Sequence, residues 1–112
     1  MEEKIKISIL CQIYGKLLTE KQYQILDDYY NNDLSLSEIA ENNNITRQAV
    51  NDVINKGKNK LIEIEEKLLL MEKILKQEKV IENIIKNLEE SENKALKKSQ
   101  IEKIKKQLKQ LL

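Results

Sequence analysis

The stretch LSLSEIAENNNITRQAVNDVI, Leu34 to Ile54, holds the only arginine of a 112-residue chain that uses lysine at its other 19 cationic positions. Two cap residues organise it. Ser35 with Glu38 three residues on has the form of a capping box, in which the hydroxyl accepts from an orphan N–H and the carboxylate reaches back. Leu36, Ile39 and Ala40 then make the buried face of a short helix, which Asn42, Asn43 and Asn44 stop. Thr46 caps the next helix, with Ile45 just before it and Ala49, Val50, Val53 and Ile54 as its apolar positions.

These two helices fit the helix-turn-helix pattern position by position. Counting from Leu36, the fifth residue is Ala40, small because the second helix crosses over it. The ninth is Asn44, where the turn needs a positive φ and Asn is the best substitute for Gly. The fourth, tenth, fifteenth and eighteenth are Ile39, Ile45, Val50 and Val53, the packing between the helices. With those side chains inward, helical geometry turns Thr46, Arg47, Gln48, Asn51, Asp52 and Asn55 outward.

In this motif the N-terminal part of the second helix enters the DNA major groove. There Arg can bond bidentately to guanine and Gln or Asn to adenine, each worth roughly 1–3 kcal/mol of discrimination. A planar guanidinium matches two acceptors at once and an ammonium does not, which gives the lone arginine a geometric reason. The candidate DNA-binding residues are Ser35, Thr46, Arg47, Gln48, Asn51 and Asn55, with Lys56 and Lys58 following the phosphate backbone. The alternative is a plain αα-hairpin without a ligand.

Toward the N-terminus, Ile5, Ile9, Ile13 and Leu17 fall at helical spacing, and Ile7, Leu10 and Tyr14 widen the stripe. Thr19 with Gln22 is a second capping box, opening a helix that should bury Tyr23, Leu26 and one or both of Tyr29 and Tyr30. Toward the C-terminus, nothing stops the helix capped by Thr46 firmly before about Lys76, since Gly57 costs only about 1 kcal/mol. Leu61, Ile64, Leu68, Met71 and Leu75 follow at intervals of 3, 4, 3 and 4, the a/d seam of a coiled coil and the candidate dimerisation segment. The phase slips at Gln77-Glu78-Lys79, resumes at Ile81, Ile84 and Leu88, and breaks again at ESEN, residues 90–93. Ile101, Ile104, Leu108 and Leu111 form a last amphipathic piece.

With two glycines, no proline and no Phe or Trp, composition favours helices around an Ile, Leu and Val core. The expected fold is all-α: a four-helix helix-turn-helix domain over residues 1–60 and a long helical extension over 61–112. No histidine and a single cysteine, Cys11 among apolar neighbours, leave no zinc site, no internal disulfide and no imidazole catalysis. Glu63, Glu65 and Glu66 read as solvated partners of lysines, and no Gly-rich phosphate loop occurs. The chain is expected not to be an enzyme and to take no cofactor. It offers no cleavable apolar signal and no run of the ~18 residues a membrane span requires, so a soluble cytoplasmic protein is expected.

Charge is uneven beneath a net +1: residues 1–45 sum to −4, 46–60 to +3, 61–93 to −4 and 94–112 to +6. About four cations near the groove give a salt slope of roughly −3.6 and weak binding. Useful affinity then calls for a homodimer on two half-sites, and the seam after Leu61 is the device at hand.

LLTEKQYQILDDYYNNDLSLSEIAENNNITRQAVNDVI resembles region 4 of bacterial sigma factors in its L-T-x-x-Q opening, its Y-x-x-D-x-S-x-x-E-I-A helix and its [ST]-R-Q-A-V recognition helix. Over nearly its whole length the chain is similar to the YlxM-type family, small helix-turn-helix proteins of Gram-positive bacteria encoded beside the signal recognition particle GTPase. IYGKLLT, TRQAV and EKLLLMEK carry that likeness. Ser35, Glu38, Ile39, Ala40, Thr46, Arg47, Gln48, Ala49 and Val50 match the motif. The resemblance implies a DNA-binding regulator and a link to the signal recognition particle pathway. The alternative is an interaction partner of that machinery, docking on its protein or, through the +6 block of 94–112, on its RNA.

Overall fold

The computed structural model describes residues 1–91 and 97–112. Among them are six α-helices: α1 (Glu3–Tyr14), α2 (Glu20–Tyr30), α3 (Leu36–Asn43), α4 (Arg47–Leu68), α5 (Leu70–Glu90) and α6 (Lys98–Lys109). A 3₁₀ turn at Gly15–Leu17 separates α1 from α2. The chain divides into two compact units, Met1–Met71 and Glu72–Leu112.

Local chemistry starts each helix of the first unit where the caps stand. Thr19 Oγ1 accepts from the Gln22 N–H at 3.2 Å and the Gln22 amide accepts from the Thr19 N–H at 3.1 Å. Ser35 and Glu38 repeat the arrangement, both bonds at 3.1 Å. Each box satisfies two of the donors a helix start leaves unpaired. Asn44 sits in the left-handed region at φ 54°, and its N–H returns to Ala40 and Glu41 to close α3.

α4 is the centre of this unit and packs on α1, α2 and α3. Val50, Ile54 and Leu61 point inward with Gly57 among them, and Ile25, Leu26, Ile39 and Ala40 meet them from α2 and α3. Full burial of each large aliphatic side chain contributes roughly 1.5–3 kcal/mol. Gly57 lies directly against α2: a Cβ there would lie 2.2 Å from Leu26 Cδ1.

Several expectations about burial are corrected. The inward face of α1 is Ile7, Leu10, Cys11 and Tyr14, while Ile5 and Leu17 are half exposed, because α2 and α4 approach from the other side of the stripe. In α2, Ile25 and Leu26 are buried, Tyr23 is exposed and Tyr29 and Tyr30 are half-buried in edge-to-face contact.

α4 does not run on to Lys76. It ends at Leu68 because Leu69 takes left-handed backbone, φ 55° and ψ 27°. The amides freed there are taken up by a side-chain pair from α1 and α4. Tyr14 Oη accepts from the Leu70 N–H at 3.2 Å and donates to Glu65 Oε1 at 2.7 Å, and that carboxylate also accepts from the Met71 N–H at 3.0 Å. Gly57 leaves α4 unbroken. The first unit therefore extends past the expected boundary at residue 60, since Leu61 and Glu65 belong to its interior.

The five-residue seam is likewise not one continuous stripe. Leu61 and Met71 are buried within the single chain, Ile64 and Leu75 are half-buried, Leu68 is exposed, and the backbone reversal at Leu69 separates the pieces.

In the second unit α5 passes through Gln77-Glu78-Lys79 without a break and pairs with α6 as an antiparallel hairpin. The Asn87 amide donates to Gln107 Oε1 at 3.1 Å, and Ile84 is buried. α5 stops at Glu90, and Ser91 Oγ donates back to the Asn87 carbonyl at 2.9 Å. The remainder of the expected ESEN break, and Lys94 of the basic block, lie outside the described residues.

Candidate nucleic-acid interface

At about 100° per residue, the inward row of α4 leaves Gln48, Asp52, Asn55 and Asn59 opposite it and Asn51 on one flank, while Arg47, at the edge of the inward row, is exposed because it is the helix's first residue. Arg47, Gln48 and Asn51 share an arc of about 100°. Arg47 and Gln48 are exposed and Asn51 is half-buried. Arg47 makes no ion pair among the described residues, so its five donors face water.

The neighbours differ in how committed they are. Gln48 Nε2 donates to Asp52 Oδ1 at 3.2 Å, one turn along the same face. That contact leaves the Gln48 carbonyl oxygen available and keeps an acidic acceptor on the Gln48 face. Thr46 Oγ1 accepts from the Ala49 N–H at 3.0 Å and keeps its own proton to donate. Ser35 is spent in the same way on Glu38 and sits exposed at the start of α3. Asn55 and Lys56 are exposed, and Lys56 makes no ion pair among the described residues. The backbone N–H groups of Arg47 and Gln48 open the helix and carry its positive dipole end.

Lys58 departs from the expected backbone-following role. Its Nζ lies 3.0 Å from Glu3 Oε1 and its side chain is only 25% exposed, because α1 passes beside this turn of α4. Glu3 is thus a determinant of the site's charge that no local pattern announces, 55 residues away in sequence.

The wider field is not that of a simple polyanion binder. Residues 1–71 carry nine cations against twelve acids, while 72–112 carry eleven lysines against seven acids. The positive block on α4 is a local patch on a net-negative unit, and non-specific attraction to phosphate is correspondingly small. What the arrangement can do chemically is short-range: a forked cationic donor, a carboxamide and a carboxylate acceptor exposed within the first two turns of α4.

A bihelical pair with a left-handed Asn at the turn, packed against two further helices, defines a helix-turn-helix protein. The family model of UPF0122, "Putative helix-turn-helix protein, YlxM / p13 like", matches residues 1–106. The chain belongs to this family. It is similar to a UPF0122 protein of Clostridium kluyveri, 58% identical over 72 residues, an alignment spanning 64% of this chain and 65% of that protein's length. A UPF0122 protein of Clostridium novyi is 44% identical over 108 residues, 94% of each chain, and one of Clostridium botulinum is 44% identical over 90 residues, 80% of this chain and 83% of that one.

Proposed function

We propose that this protein is a DNA-binding regulatory protein of the cytoplasm that inserts the N-terminal end of α4 into the major groove of double-stranded DNA. The observation carrying this reading is the guanidinium of Arg47, exposed and without an ion pair among the described residues, on the first turn of α4 with Gln48 and Asn51. Arg47, Gln48 and Asn51 read base edges. Ser35, Thr46, Asn55 and Lys56 hold the backbone, and Lys58 contributes only if it leaves Glu3.

With Lys58 engaged, Arg47, Lys56 and Lys60 remain, and three phosphate neutralisations correspond to a salt slope of only about −2.7. A homodimer doubles this and fixes half-site spacing. The test is a fluorescence-anisotropy titration against fragmented genomic duplex. Arg47→Ala should weaken the preferred fragment by about 1–3 kcal/mol and flatten its advantage over the others. Unchanged affinity and preference would remove the groove-reading role.

Charge favours a second reading, an RNA or protein partner within the signal recognition particle machinery, since α6 and the residue preceding it carry six lysines and one acid between Lys97 and Lys109. Retention of a structured RNA that disappears when Lys98, Lys105 and Lys109 become Gln, with duplex DNA ignored by the parent protein, would select it.

A further inference from the structure

The α5–α6 hairpin keeps one apolar face uncovered. On α5, Ile74, Ile81, Ile85 and Leu88 lie within an arc of about 60° and are 37–49% exposed, whereas the adjoining row at Val80, Ile84 and Asn87 is more buried, with Val80 sharing a cleft with Leu111 and Asn87 bonding Gln107 of α6. On α6, Ile101 and Leu108 are 39% and 49% exposed beside the packed Ile104, Gln107 and Leu111. Both stripes lie the same rotational sense away from the packed rows. Because the helices are antiparallel, that brings them to one side of the hairpin.

The rims of this face carry opposite signs. About 70° beyond the α5 stripe stand Glu78, Glu82 and Glu89, and about 70° beyond the α6 stripe stand Lys98, Lys105 and Lys109. All six are exposed; Lys105 reaches Glu102 only at 3.9 Å. A surface with an acidic edge on one helix and a basic edge on the other is complementary to itself.

We propose that this face binds a second copy of the chain. Its two-fold axis runs along the hairpin, so that α5 lies over the partner's α6 and four helices enclose the isoleucines. That axis exchanges the two edges and sets acid against base twice. A two-fold axis across the helices would instead stack α5 on α5 and carboxylate on carboxylate, which costs free energy. The face runs about 21 Å along α5 and about two helix diameters across, so pairing removes on the order of 1,000 Å² from water, where specific interfaces begin. The proposal supplies the dimer that the DNA reading calls for and rests on that reading only for its purpose. A dimer that ignores DNA defeats the reading and leaves the interface standing.

Sedimentation equilibrium of the full chain over about 1–100 μM tests it. The wild type should pass from monomer to dimer. Ile81→Glu with Ile85→Glu should remain monomeric with its helical circular dichroism intact. Glu82→Lys with Glu89→Lys should weaken the dimer about tenfold, as should Lys105→Glu with Lys109→Glu. All four together should restore it. A monomer throughout, dimers indifferent to either charge reversal, or dimers tightened by one reversal would overturn the proposal. So would a monomer that cosediments with phosphatidylglycerol vesicles through Ile81 and Ile85, which would give the face to a lipid surface.

Discussion

The Tyr14 hydroxyl donates to Glu65 Oε1 across 51 residues, at 2.7 Å and inside the core. Through this pair α1 controls where α4 ends, because the same hydroxyl and carboxylate receive the amides of Leu70 and Met71 that the reversal at Leu69 sets free. Tyr14→Phe removes a donor and an acceptor at once and leaves a buried carboxylate short of a partner. The expected cost is about 1–3 kcal/mol, or about 4 °C in Tm for each kcal/mol, read by thermal unfolding. No change in Tm would mean that the pair holds nothing.

Gly57→Ala sets helix propensity against packing. Alanine gains about 1 kcal/mol in a helix interior, yet its Cβ would press on Leu26 Cδ1, whose side chain is fully buried. Overpacking costs about 1–3 kcal/mol, so a net loss is expected in denaturant unfolding. Combining it with Leu26→Ala should show favourable coupling between the two sites. At Gly15 the clashing ring belongs to exposed Tyr23, which can swing away, and Gly15→Ala should cost less.

Leu69 holds φ 55° with a half-exposed side chain, so little packing repays its backbone strain. Leu69→Gly should stabilise the chain by about 0.5–1 kcal/mol, and Leu69→Val should destabilise it by at least as much. Chemical denaturation midpoints at constant m-value decide the matter.

Lys56 and Lys58 should separate in salt titrations on a retained duplex. Losing exposed Lys56 should reduce the log–log salt slope by about 0.9. Losing Lys58, which is paired with Glu3, should leave the slope unchanged. Equal changes for both would place Lys58 on phosphate.

Alkaline pH should loosen the first unit. Burial, and then Asp27, push the Cys11 thiol up to about 11, and burial with Glu3 nearby pushes Tyr30 up to about 12. Tyr14 is raised by burial and its bond to Glu65. Each group is held neutral by the fold, so its stabilisation is complete below its unfolded pKa, 9.0 for the thiol and 10.0 for the phenols, and is lost as pH rises through the folded values. Stability should fall from about pH 9 upward, and at pH 8 an aromatic disulfide reagent should reach Cys11 only after unfolding.

Residue order alone declares the part of this protein made by neighbours in the chain. The boxes at Thr19 and Ser35, the left-handed Asn44, the Thr46 cap and the apolar spacing of α3 and α4 act over three or four residues, and residue type alone declares them. They define the helix-turn-helix and turn Arg47 and Gln48 outward. Packing between distant segments set which stripe of α1 is inside, that Lys58 is held by Glu3, and that the row from Leu61 to Leu75 is divided at Leu69. An apolar period says that a face will be buried but not by what. A residue one row over serves equally well until α2 and α4 arrive, and a partner 50 residues distant leaves no periodic trace.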